Sequence, residues 1–132
     1  MLDFKPNHFL LFGWLVVLSI IVLSLLPGKS MPTLSWLDFL ALDKIGHLLF
    51  YGAASWCFRK YQLLKFNNVQ YISIGFWLLF LGISLEGLQY FNHQGRQFDV
   101  LDIIANGFGI LFGFFILDPF LVSGLRKLID KI

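Results

Sequence analysis

The sequence predicts an all-α integral membrane protein, a single domain of four transmembrane helices joined by short loops. Three observations predict it. Hydrophobic residues make up 58% of the 132 residues and charged residues 14%, against roughly 45–50% and about 25% in soluble domains. Sixteen phenylalanines and four tryptophans carry more apolar surface than so short a chain can bury within itself. The few charges also gather at the ends of long apolar runs. A soluble globular enzyme, a disordered chain and a nucleic-acid reader are thereby excluded, and the net charge of +2 is too small for the last in any case. One cysteine excludes an intramolecular disulfide framework and a Cys-rich zinc site.

The first span is expected over about residues 9–26, an uncharged run of eighteen, close to the roughly 17–20 residues that cross a bilayer core. Pro27 and Gly28 end it. It reads as a retained helix. Its apolar run outlasts the core of a signal peptide, and Leu25-Leu26-Pro27-Gly28 lacks a small-residue cleavage pattern. The second span is expected over about 40–58. It carries Asp43, Lys44 and His47 near its entrance, and Arg59 and Lys60 stop it. Its apolar core is short enough that, read alone, it also fits a re-entrant segment. The third span covers about 69–91, with Glu86 and Gln89 near its end. The fourth covers about 101–122, with Asp102 and Asn106 near its start and Asp118-Pro119 near its exit. Short loops make sequence neighbours antiparallel. Leu34 to Leu42 and the amphipathic stretch from Leu121 to Ile132 are expected to lie along the membrane surface, with Trp36 at headgroup level.

Four spans place both termini and the middle loop on one side. That side holds Lys5, Arg59, Lys60, Lys65, Arg126, Lys127 and Lys131; the other holds Lys29, Lys44 and Arg96. The excess of positive residues marks the first side as cytoplasmic, so a multi-pass protein of the cell membrane is expected, with both termini inside. Most acids fall on the outer side: Asp38, Asp43, Glu86, Asp99 and Asp102.

The outer ends of three spans carry the polar residues that an apolar helix does not need. His47, Glu86 and Asn106 each fall about 5–8 Å below the outer end of their helix. Asp43, His47 and Tyr51 share a stripe at i, i+4, i+8. Glu86, Gln89 and Tyr90 share a face, as do Asp99, Asp102 and Asn106. Because an ionised group facing lipid costs about 2.5–3.5 kcal/mol at the helix centre and less toward the ends, these faces are expected to turn inward around an outward-facing polar pocket. Arg96 joins them from the outer loop.

The run Asp43-Lys44-Ile45-Gly46-His47-Leu48-Leu49-Phe50-Tyr51 resembles the D-K-x-x-H-x-x-x-Y motif of the VanZ-like family. The residues Glu86 to Gln89, then Gly95-Arg96-Gln97-Phe98-Asp99, then Asp102 to Gly109 resemble its second signature, roughly E-x-x-Q, G-R-x-F-D, D-x-x-x-N-x-x-G. The resemblance covers about residues 10–117. It implies a small polytopic membrane protein acting at the cell envelope. The founding member of that family is associated with resistance to the glycopeptide teicoplanin, and no reaction comes with membership.

Three functional readings follow. In the first, Asp43, Lys44, His47, Tyr51, Glu86, Gln89, Arg96, Asp99, Asp102 and Asn106 bind an envelope component or a glycopeptide-type compound. In the second, the chain is a membrane enzyme acting on a lipid-linked substrate, with Glu86 and His47 as the candidate catalytic acid and base and Arg96 or Lys44 holding an anionic group. In the third, the cluster braces the helices of a structural or assembly subunit. There Glu86 pairs with Lys44 or Arg96, and Arg96 pairs with Asp99 or Asp102. An anionic ligand must meet Lys44 and Arg96; a cationic one must meet the acids. No close-spaced metal pattern such as H-E-x-x-H is present, so no metal or other cofactor is expected, and His47 is expected to hydrogen-bond Asp102 or Asn106. Ala105, Gly109 and Gly113 form a small-residue stripe suited to packing inside one chain or across a homodimer. Bilayer lipid is the expected partner; nucleic acid is not.

Overall fold

A computed structural model describes residues 5–25, 36–91 and 98–118, with the backbone alone over 36–41. Among these residues the chain is all helix: α1 (Pro6–Leu25), α2 (Trp36–Phe66), α3 (Tyr71–Phe91) and α4 (Val100–Phe115). The expected surface segment at residues 121–132 lies outside the described residues, as do Arg96 and the outer loop around it.

Local chemistry explains the helix ends. Proline occupies the first position of α1, where its missing N–H is no loss and its fixed φ suits a helix. Asn67 closes α2 in the left-handed region at φ 50°, and its N–H donates to the Leu63 carbonyl at 3.0 Å, a C-terminal stop that asparagine tolerates. Asp99 caps α4, its carboxylate accepting from the Leu101 N–H at 2.8 Å.

The first and third helices match their expected spans to within three residues. Both are long and apolar enough to cross a bilayer. Helix α2 differs from its expectation. It runs 31 residues and passes through Arg59 and Lys60, which therefore do not stop it. The expected surface segment at Leu34 to Leu42 is, from Trp36 onward, the first part of this same helix. Helix α4 is 16 residues long and ends at Phe115; Leu117 and Asp118 are helical again after a turn at Ile116, and the remainder of the expected fourth span, to residue 122, lies outside the described residues.

The tightest packing is between alternate helices, not sequence neighbours. The closest pair is α2 with α4, and these two run parallel. Lys44 pairs with Asp102 at one end, at 2.8 Å, and Lys60 pairs with Asp118 at the other, at 2.9 Å. Between these links the helices touch through backbone. A Cβ on Gly52 would lie 3.1 Å from the Gly109 carbonyl oxygen. A Cβ on Gly109 would overlap the Leu48 carbonyl, and one on Gly113 would overlap the Gly52 carbonyl and the Ser55 hydroxyl. Gly109 and Gly113 are thus engaged inside the chain, the first of the two uses open to that stripe. Ser55, fully buried, donates its hydroxyl to the Gly52 carbonyl at 3.0 Å and the Ile110 carbonyl at 3.1 Å, tying α2 to α4 at mid-height.

Helix α1 packs on the other side of α2. Gly13 lies against Cys57 and Phe58, and Phe9 meets Trp56 edge-on at 5.5 Å. Helix α3 runs antiparallel to α4, with Tyr71 against Phe114 at 5.2 Å at one end and Glu86 beside Asp99 at the other. The core is narrow: Val17, Ile20, Tyr51, Ala54, Ile74, Leu78, Leu85, Ile110 and Phe114. Large apolar side chains such as Trp14, Ile72, Trp77, Phe108 and Phe115 stay exposed on the outer faces.

Candidate functional site

Of the polar residues expected to converge, Asp43, Lys44, His47, Tyr51, Glu86, Asp99, Asp102 and Asn106 lie together at the end of the bundle where α2 and α4 begin and α3 finishes. Lys44 donates to Asp99 Oδ2 at 2.7 Å and to Asp102 Oδ1 at 2.8 Å. This holds the Asp99 carboxyl below the usual aspartate range, with the hydrogen bond from Lys44 the largest cause. His47, one helical turn after Lys44, places Nδ1 at 2.9 Å from Asn106 Oδ1. That is one of the two bonds expected for it. Its Nε2 stands 3.9 Å from Asp43 Oδ1 and 3.9 Å from Asp102 Oδ2. Tyr51 stacks on the His47 ring, with centroids 6.3 Å apart.

Glu86 is buried to 2% exposure and accepts from the Asp99 backbone N–H at 3.3 Å. The pairing of Glu86 with Lys44 is not made; Lys44 is committed to Asp99 and Asp102. Asp99 and Asp102, expected to serve Arg96, are the acids that take Lys44. Gln89 donates to the Ser24 carbonyl at 2.7 Å, so it ties α3 to α1 and faces away from the charged group. Tyr90, expected to share the Glu86 face, is exposed.

Two features escaped the reading of the sequence. One is Gly82, one turn before Glu86 on α3. A Cβ there would lie 2.6 Å from Asn106 Nδ2 and 3.1 Å from the Tyr51 hydroxyl. Glycine makes the room that lets these two polar side chains sit against α3. Asn106 is 1% exposed, yet its Nδ2 has no hydrogen-bond partner. A buried donor left open in this way is costly, by about 1–3 kcal/mol. The other is a second polar cluster at the opposite end, where Asp118 accepts from Trp56 Nε1 at 2.7 Å and pairs with Arg59 and Lys60. Equal spacing was the available signal: Lys44 to Lys60 and Asp102 to Asp118 are the same distance along the chain.

An apolar groove of about 630 Å³ lies away from this cluster, lined by Trp14, Val17 and Ile21 of α1, Phe58 of α2 and Trp77 and Leu81 of α3. Chemically, the polar end offers a lysine ammonium, an imidazole and several carboxylates within reach of one another. One ligand atom from each of Asp43, His47 and Asp102 falls within 4.8 Å of the other two. No family model, curated protein or solved structure matches the chain. The fold and the site therefore define a class only: among the described residues, an all-helical arrangement of four helices, two of them long and apolar enough to cross a membrane.

Proposed function

We propose that the chain is a VanZ-like protein that crosses the bilayer four times, with both termini cytoplasmic, and uses the polar end of α2, α3 and α4 to bind an envelope component or a glycopeptide-type compound. The observation that carries this reading is Asn106: a buried amide whose Nδ2 is left without an acceptor beside His47, Tyr51 and Gly82. A ligand oxygen would satisfy it. Four crossings are supported by the two polar clusters. Lys44 and Lys60 are sixteen residues apart on α2, about 24 Å, and the chain between them is apolar apart from His47, Ser55 and Arg59. That length approaches the roughly 30 Å bilayer core.

A second reading has its own observation. Lys44 links Asp99 and Asp102 directly, which is what a purely structural brace between α2 and α4 would look like. One variant panel separates the two. Glu86→Gln, His47→Ala and Arg96→Lys are scored for folded yield in detergent, for co-purified lipid by mass spectrometry and for envelope phenotype. Normal yield with lost lipid or phenotype supports binding; lost yield in all three supports the brace. Orientation is read separately, from a cysteine at exposed Asn68 between α2 and α3. It should react with a membrane-impermeant maleimide only after the cells are opened.

A further inference from the structure

We propose that Asp43, His47 and Asp102 form a binding site for one divalent cation of the Mn²⁺ or Zn²⁺ class. The inference goes beyond the ligand-binding reading, since an ion can bind here whether or not an envelope compound does.

The geometry begins with His47. Its Nδ1 stands 2.9 Å from the Asn106 amide oxygen; in the neutral ring with the proton on Nδ1 making that bond, Nε2 is the atom left to ligate. A histidine ligand is commonly oriented in this way, with the far ring nitrogen held by a hydrogen bond from the second layer. The lone pair on Nε2 faces Asp43 Oδ1 and Asp102 Oδ2, each 3.9 Å away. That separation is too long for a hydrogen bond. It is close to what two metal–ligand bonds of about 2.0–2.2 Å span, after side-chain movements of roughly half an ångström. All three ligand atoms lie within 4.8 Å of one another. Asp102 is free to use Oδ2 in this way because Lys44 occupies its other oxygen.

Charge points the same way. Setting Asp43 aside, Asp99 and Asp102 bring two carboxylates to the single ammonium of Lys44, and Asp102 is buried. A site so desolvated draws in positive charge. Access remains, because the side chains of Asp43 and His47 are 25% and 13% exposed, leaving room for water to complete the coordination. An imidazole with two carboxylates suits Mn²⁺ and Zn²⁺; Ca²⁺ prefers a larger set of oxygens, and Mg²⁺ keeps most of its water.

Sequence patterns miss this arrangement because the ligands come from two helices, with His47 and Asp102 fifty-five residues apart. A bound ion would be a second fastening between α2 and α4. It would also turn an acidic end into one that can hold a phosphate or carboxylate oxygen.

The test uses the full chain purified in detergent, stripped with a chelator and titrated with Mn²⁺ alone or Zn²⁺ alone. Free Mn²⁺ is read by electron paramagnetic resonance and Zn²⁺ by equilibrium dialysis. One ion per chain is expected. Asp43→Asn and His47→Gln should each weaken binding at least tenfold, while Ser84→Ala, on the other side of α3, should not. If either ligand variant fails to fold, the wild-type protein still decides: pulsed resonance of bound Mn²⁺ should show coupling to a directly bonded imidazole nitrogen. No bound ion, binding that survives both substitutions, or no nitrogen coupling would each overturn the site. Lipid retention and envelope phenotype are measured independently, so loss of the metal site and loss of the binding reading are distinguishable.

Discussion

Gly113→Ala should destabilise the bundle, although alanine is the better helix former. The new Cβ would fall on the Ser55 hydroxyl and the Gly52 carbonyl oxygen. Ser55 can rotate away, giving up its bonds to Gly52 and Ile110 at about 0.5–1.5 kcal/mol. The Gly52 carbonyl is backbone and cannot. A carbon–oxygen contact needs about 3.3–3.6 Å, so α2 and α4 must part by roughly 1 Å, and such overpacking costs about 1–3 kcal/mol. Alanine returns about 1 kcal/mol of helix propensity, leaving a net loss of about 2 kcal/mol. Gly87→Ala is the control. Nothing lies within 4 Å of its Cβ position, so only the propensity gain remains and stability should rise by up to about 1 kcal/mol. Unfolding by sodium dodecyl sulfate from mild detergent reads both. The reasoning fails if Gly113→Ala proves as stable as the wild type, or if the two alanines shift stability in the same direction.

Lys44→Met should lower stability by about 3 kcal/mol in the same titration, the low end for a broken buried pair, because it strands Asp102 while its own side chain is only a quarter exposed. Adding Asp102→Asn should restore part of that loss. For Asp99, the carboxyl is held low in the folded chain; its contribution is complete above the unfolded value of about 3.9 and fades as pH falls through the lower folded value. The melting temperature should therefore drop as pH is lowered from about 4, less steeply in Asp99→Asn. Asp118→Ala should cost about 2 kcal/mol by removing the acceptor of Trp56 and the partner of Lys60, with no change in the binding of Mn²⁺.

Much of the fold was legible because apolar runs and punctuation are local signals. Pro6 and the uncharged stretch after it mark α1, and the apolar run ending at Phe91 marks α3. Stripes at helical spacing brought Asp43, His47, Asp99, Asp102 and Asn106 to one end. What sequence did not disclose were the choices between partners. Arg59 and Lys60 look like a stop when read along the chain, and continue the helix because Asp118, fifty-eight residues on, answers Lys60 and reaches Arg59 as well. Lys44 had several acids to choose from, and only the parallel alignment of α2 with α4 selects Asp99 and Asp102. Gly82 carries no pattern of its own; its meaning lies in the Tyr51 and Asn106 groups that fill the space beside it.

The shared offset between α2 and α4 also bears on how the protein is made. Lys44 meets Asp102, and Lys60 meets Asp118, each 58 residues later in the chain. At about 5–20 residues per second, roughly 3–12 s of synthesis separate each lysine from its acid. Helix α2 is the least apolar of the three long helices, with both charged ends unanswered through that interval. A nascent chain stopped before Asp102 should therefore hold α2 loosely, and one extended past Asp118 should seat it. The order of synthesis, as well as the final contacts, decides when the second helix becomes part of the bundle.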